Sequence, residues 1–114
     1  MITIYHKPTC STSRKVLQMI RDAGFEPQVI DYVKTGWSRD ELQDLLAAAN
    51  VTPAQALRVK GTDAAERGLV GADDKTILDQ MLENPALVER PIVSGPGGVR
   101  LCRPAELVAQ TFAR

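Results

Sequence analysis

The order of apolar runs in this sequence predicts a mixed α/β fold: strand, helix, strand, a helical insertion, then strand, strand, helix. Three observations carry that reading. A strand-like run, an amphipathic helix and a second strand-like run succeed one another over residues 2–33, the order of a parallel βαβ unit. Prolines, glycines and capping residues then punctuate a helical middle stretch. A glycine-rich turn between two short apolar runs finally sets up a hairpin, with one more helix after it.

Each element has its own justification. Ile2-Thr3-Ile4-Tyr5-His6 reads as the first strand. The run from about residue 12 to 23 places Val16, Met19, Ile20 and Ala23 at helical spacing, and Gly24 supplies a C-terminal stop. Residues 28–33 form the second strand-like run. Ser38-Arg39-Asp40-Glu41 is a capping box preceded by the apolar Trp37, and Leu42, Leu45, Leu46 and Ala49 follow on one face. Thr52 and Pro53 are an N-cap and a first-turn proline, predicting a short helix that ends at Arg58. A third helix over residues 74–83 buries Ile77, Leu78, Met81 and Leu82 and stops before Pro85. Pro91-Ile92-Val93 and Val99-Arg100-Leu101 are antiparallel partners across Gly95-Pro96-Gly97-Gly98. Pro104 opens a last helix with Leu107, Val108 and Phe112 turned inward. The expected unit is one domain over residues 1–114, with the helical insertion at about 34–89 between the second and third strands. This βαβ–ββα order is the thioredoxin-like architecture.

Composition narrows the function. The chain has 14 basic and 14 acidic residues and no basic block, so it lacks the electrostatic footprint of a nucleic-acid binder. No apolar stretch approaches the length of a membrane span, and no charged-then-apolar leader opens the sequence; neither a membrane protein nor a signal peptide is expected. Two cysteines, Cys10 and Cys102, make no disulfide framework, and a small chain resting on its own core fits a reducing, cytoplasmic setting. His6 is the single histidine and neither cysteine has a partner at ligand spacing, so no metal site is expected.

Chemistry concentrates at Cys10. It follows a strand and stands at the mouth of a helix, where free backbone N–H groups and the helix dipole favour thiolate over thiol. Those N–H groups, with the hydroxyls of Ser11, Thr12 and Ser13, are also suited to an oxyanion. A role as a small buried hydrophobe fits poorly with such polar neighbours. Arg14 lies at Cys-x3-Arg, not the Cys-x5-Arg of tyrosine-phosphatase sites, and that class is set aside; Arg14 is expected to support Cys10 as a nearby charge. Arg58, Arg90 and Arg103 occupy special local settings, the last two directly before prolines. Taken singly, each arginine reads as a solvated surface residue before it reads as a ligand; together they offer permanently charged, forked donors for a tetrahedral anion. The Arg90–Pro91 bond is a candidate cis peptide. Cys102 follows an apolar strand and reads as core. The glycines at 95–98 read as a turn and not a phosphate loop, since no helix follows directly.

The segments Ile-Thr-Ile-Tyr-His with Cys10-x-x-Ser13-Arg14, Ser-Arg-Asp-Glu-Leu at 38–42, Glu83-Asn84-Pro85, Arg90-Pro91-Ile92-Val93 and Arg100-Leu101-Cys102-Arg103-Pro104 together resemble the glutaredoxin-coupled arsenate reductases of the thioredoxin superfamily. The resemblance implies an enzyme that reduces arsenate to arsenite through a thiol–arsenic adduct on Cys10. It implies that Arg58, Arg90 and Arg103 bind the oxyanion, with His6 supporting the nucleophile's environment. It implies glutathione as co-substrate, glutaredoxin as partner, and no bound prosthetic group. Two other readings attach to the same fold: a non-enzymatic regulator that binds RNA polymerase, and a general glutathione-linked thiol reductase. Such regulators carry Cys-x-x-Cys, whereas Ser13 stands at the second position here.

Overall fold

The computed structural model describes residues 1–112; Ala113 and Arg114, the end of the expected domain, lie outside the described residues. Four strands form one mixed sheet in the order β2-β1-β3-β4: β1 (Thr3–His6), β2 (Gln28–Asp31), β3 (Ile92–Gly95) and β4 (Gly98–Leu101). β1 and β2 are parallel, joined by the right-length crossover helix α1 (Ser11–Asp22), while β3 runs antiparallel to both β1 and β4. This is the expected βαβ–ββα order.

Strand alternation sorts the core into two clusters, because successive side chains point to opposite faces. Ile4 pairs with Val93, and both join Ile2, Val16, Ile20, Cys102 and Val108. Tyr5 pairs with Ile92, and both face the other cluster, with Tyr32, Trp37, Leu42, Leu46, Met81 and Leu87. The first cluster seats α1 and the C-terminal segment. The second seats the helical insertion, where α3 (Arg39–Ala48) and α4 (Asp74–Glu83) begin on capping side chains: Ser38 Oγ accepts from the Glu41 N–H at 3.1 Å, and Asp73 Oδ1 from the Thr76 N–H at 2.7 Å.

Three elements depart from the sequence reading. The second strand stops at Asp31, and Tyr32–Thr35 turn into a four-residue helix, α2. Tertiary contacts override strand propensity there. The Tyr32 ring packs 5.0 Å from Trp37, and its hydroxyl donates to the Val88 carbonyl at 2.8 Å. The helix expected from Pro53 is a single turn. Its capping residues do engage, Gln55 N–H donating to Thr52 Oγ1 at 3.2 Å and Thr52 N–H to Gln55 Oε1 at 2.9 Å. Leu57 then pairs with Val88 as an isolated bridge, which draws the chain out of helical geometry before Arg58. The last helix is 3₁₀ over Ala105–Thr111 and not α. Thr111 Oγ1 donates back to the Val108 carbonyl at 2.7 Å, and the Thr111 carbonyl accepts from Gly97 N–H at 3.0 Å, so side chain and hairpin hold the tight winding. Both Arg90–Pro91, as expected, and Arg103–Pro104 are cis.

Among the described residues no helix is long and apolar enough to cross a membrane.

Candidate active site

Cys10 is the N-cap of α1, extended at φ −94° and ψ 123°. Its N–H closes a turn on the Lys7 carbonyl at 2.9 Å, and its own carbonyl accepts the Arg14 N–H at 3.0 Å. The thiol is thereby set at the unpaired N–H groups that every helix N-terminus carries. Partial burial opposes ionisation and is the largest single influence on it. The backbone N–H groups of Ser13 and Thr12, the Arg90 guanidinium as a donor, and the Arg90 charge outweigh that cost together. Cys10 is held below the ordinary thiol value.

Its sulfur opens on a polar cavity of about 350 Å³ that Arg58, Arg90 and Arg103 also line, together with Ser11 and Thr12. Three segments far apart in sequence therefore deliver their guanidinium groups to one place. Lys7 and Lys60 complete a basic rim, and no acidic side chain lines the cavity among the described residues. Arg90 is nearly buried, 6% exposed, with Nη1 donating to the Ala86 carbonyl at 3.0 Å and Nε left without an acceptor. Arg103 Nη1 donates to the Arg90 carbonyl at 3.0 Å. Arg58 Nε donates to the Lys60 carbonyl at 2.9 Å. A larger cavity, about 590 Å³, lies between α3 and α4; it shares no lining residue with the Cys10 cavity and includes Leu46, Val51 and Leu78. Charge and the thiol, not size, mark the site.

Ser13 requires a correction. Its hydroxyl was expected to face an oxyanion, but it is fully buried and occupied: it accepts from Lys7 N–H at 3.1 Å and meets His6 Nδ1 at 2.6 Å. Residue 13 falls on the inner face of α1 with Val16 and Ile20, so only its backbone N–H serves Cys10. Burial, with a smaller push from Arg14 and Arg21, holds His6 below its usual value despite Asp31 nearby. With the ring neutral and Nδ1 unprotonated, Nδ1 is placed to accept the Ser13 O–H, and the pair pins the strand-to-helix turn beneath Cys10. Arg14 does not line the cavity, and the charge that lowers Cys10 comes from Arg90 and not from Arg14 as expected; Arg14 Nη1 donates to the Pro8 carbonyl at 2.9 Å and braces the same turn.

Cys102 is fully buried in the apolar cluster under β3, and burial pushes its thiol up to about 12 against a weaker influence of Arg100. Its reading as a core residue agrees with that placement. Lys7 and Lys60 at the cavity rim and Glu89 beside Arg58 belong to no motif in the sequence. Lys60 and Glu89 each lie within two residues of a singled-out arginine, and that proximity was the available signal.

The ArsC family profile matches residues 5–111. An arsenate reductase of Synechocystis sp. is 56% identical over 110 residues, covering 95% of this chain and 79% of that protein. The arsenate reductase of Escherichia coli K12 is 46% identical over 113 residues, covering 96% of this chain and 79% of the relative. Among solved structures, an arsenate reductase from Vibrio cholerae superposes with a TM-score of 0.88 at 35% identity, covering 97% of each chain.

Proposed function

The chain belongs to the ArsC family, and on that premise we propose that it is an arsenate reductase that works through Cys10. The observation that carries the reading is one basic cavity in which a thiol held below its ordinary value meets Arg58, Arg90 and Arg103. Arsenate enters as a dianion, and the guanidinium groups and the first N–H groups of α1 spread its charge. The Cys10 thiolate then attacks arsenic; an As–S bond forms and an oxygen leaves as water after protonation. Reduction to arsenite needs two electrons, and Cys102, buried in the core, is no resolving thiol. External thiols therefore supply them. Glutathione displaces a second oxygen as water to form an As–S bond, and attack by a second thiol, that of glutathione or glutaredoxin, on the glutathione sulfur breaks that bond and leaves its electron pair on arsenic. The two thiols leave as a disulfide; water then replaces the Cys10 sulfur on arsenic, releasing arsenite and returning Cys10 as thiolate. The chain's own groups need no metal or prosthetic group for these steps.

Purified protein with arsenate, glutathione, glutaredoxin and an NADPH-linked recycling system tests the reading. Arsenate-dependent NADPH oxidation is the expected result. Thiol turnover that ignores arsenate would point instead to a general thiol reductase, and no turnover at all to a non-enzymatic role.

A further inference from the structure

One acidic side chain reaches the arginine cluster without lining the Cys10 cavity. Glu89 Oε1 lies 3.0 Å from Arg58 Nη1 and 3.7 Å from Arg103 Nη1, so a single carboxylate oxygen spans two of the three guanidinium groups. Its backbone is fixed on both sides of the Leu57–Val88 bridge: Glu89 N–H donates to the Ala56 carbonyl at 2.7 Å, and Arg58 N–H to the Leu87 carbonyl at 2.8 Å. The Glu89 and Arg58 side chains are 18% and 16% exposed, which sets the pair apart from solvated surface ion pairs of negligible worth. Glu89 faces the neighbouring cavity, whose wall it shares with Arg103.

The arrangement answers a physical problem. Three guanidinium groups and the ammonium groups of Lys7 and Lys60 crowd one small cavity, and like charges on long side chains splay apart unless something holds them. A fixed carboxylate shared by two of them offsets that repulsion. Glu89 engages Nη1 in each case, which leaves further N–H groups of both forks for an anion. We infer that Glu89 is a positioning residue for oxyanion binding, acting through Arg58 and Arg103; the inference rests on the arsenate-reductase reading above. Holding donors in place before the ligand arrives reduces the ordering cost of binding, so the benefit belongs in affinity.

Steady-state kinetics of Glu89→Ala and Glu89→Gln test it, beside iodoacetamide alkylation of Cys10 with and without arsenate or inorganic phosphate as protectant. Glu89→Ala is expected to raise KM for arsenate about tenfold, or about 1.4 kcal/mol of binding. Its kcat should stay within about twofold, because Cys10 and the groups that favour its thiolate are untouched. Glu89→Gln keeps an acceptor but not the charge, and should recover part of the loss. Protection of Cys10 in Glu89→Ala should need about tenfold more anion, in step with KM. A merely structural role would lower thermal stability without separating KM from kcat. Parental KM and parental protection in Glu89→Ala would overturn the inference, as would tighter anion binding. Should Glu89→Ala fail to fold, Glu89→Gln carries the same measurements. If the parent turns over no arsenate, the enzymatic reading fails by itself. Phosphate protection still decides the role of Glu89: weaker protection in the variant supports it, and equal protection overturns it.

Discussion

Arg90 holds a buried Nε with no acceptor, although an orphaned donor of this kind ordinarily costs about 1–3 kcal/mol. Its guanidinium lines the Cys10 cavity and is anchored through Nη1 on the Ala86 carbonyl. Charge-assisted hydrogen bonds contribute roughly 1.5–3 kcal/mol each. Arg58→Ala, Arg90→Ala and Arg103→Ala should therefore each weaken productive use of arsenate by roughly ten- to a hundredfold. Lysine at the same positions should rescue only part, since it keeps charge but loses the fork. Arsenate titrations of the folded variants, with circular dichroism as control, check this; parental affinity in all three would place the oxyanion elsewhere. Much of this constellation was legible at the residue scale, because Cys10 sits between a strand and a helix and two arginines precede prolines. Glu89 was not, because its ion pair with Arg58 joins positions 31 residues apart. Ser13 was misjudged for a related reason. The motif names the hydroxyl, but the phase of α1 decides whether it faces the cavity or the core.

Elements with strong local signals match their sequence reading closely. α4 spans Asp74–Glu83 as expected, and α3 starts where its capping box says it should. Prolines and caps mark where a helix begins, but not how far it runs. At Pro53 the signal was real and the turn formed, yet a bridge between Leu57 and Val88 ended it, and that bridge is invisible to local pattern. The hairpin shows the reverse, a turn whose composition predicted it and whose packing explains a glycine. A Cβ at Gly95 would stand 2.3 Å from the Thr111 carbonyl oxygen, so the C-terminal 3₁₀ segment docks only against a bare strand end. Gly95→Ala should cost on the order of 1–3 kcal/mol through forced displacement of that segment. For a domain of this size that is a drop in Tm of about 4 °C or more. Thermal denaturation followed by circular dichroism measures it, and an unchanged Tm would mean the segment yields freely.

The whole molecule divides its labour across the two faces of the sheet. One face carries α1 and buries Cys102; the other carries the insertion that brings Arg58 and Glu89 beside β3. Burial has a consequence for pH. Cys102 and Tyr32 are both pushed up to about 12, desolvation being the main cause for each. Above about pH 9 the unfolded chain gives up the Cys102 proton while the folded protein keeps it, so the unfolded state binds fewer protons and stability falls by about 1.4 kcal/mol per pH unit. Tyr32 adds the same sign above about pH 10. Cys10 acts oppositely, since its depressed value adds stability that is fully present above the unfolded thiol's value and does not mask the decline. Denaturant unfolding of parent and Cys102→Ala between about pH 9 and 10.5 should show the decline in the parent and a flatter profile in the variant; parallel profiles would contradict this. In the proposed function one thiol, Cys10, does the chemistry while the other, Cys102, holds the core. Arsenite released from arsenate, measured side by side for the parent, Cys10→Ser and Cys102→Ser with glutathione and glutaredoxin in excess, tests that most directly. The expected result is no release above background from Cys10→Ser and most of the parental rate from folded Cys102→Ser; comparable release from Cys10→Ser would contradict it.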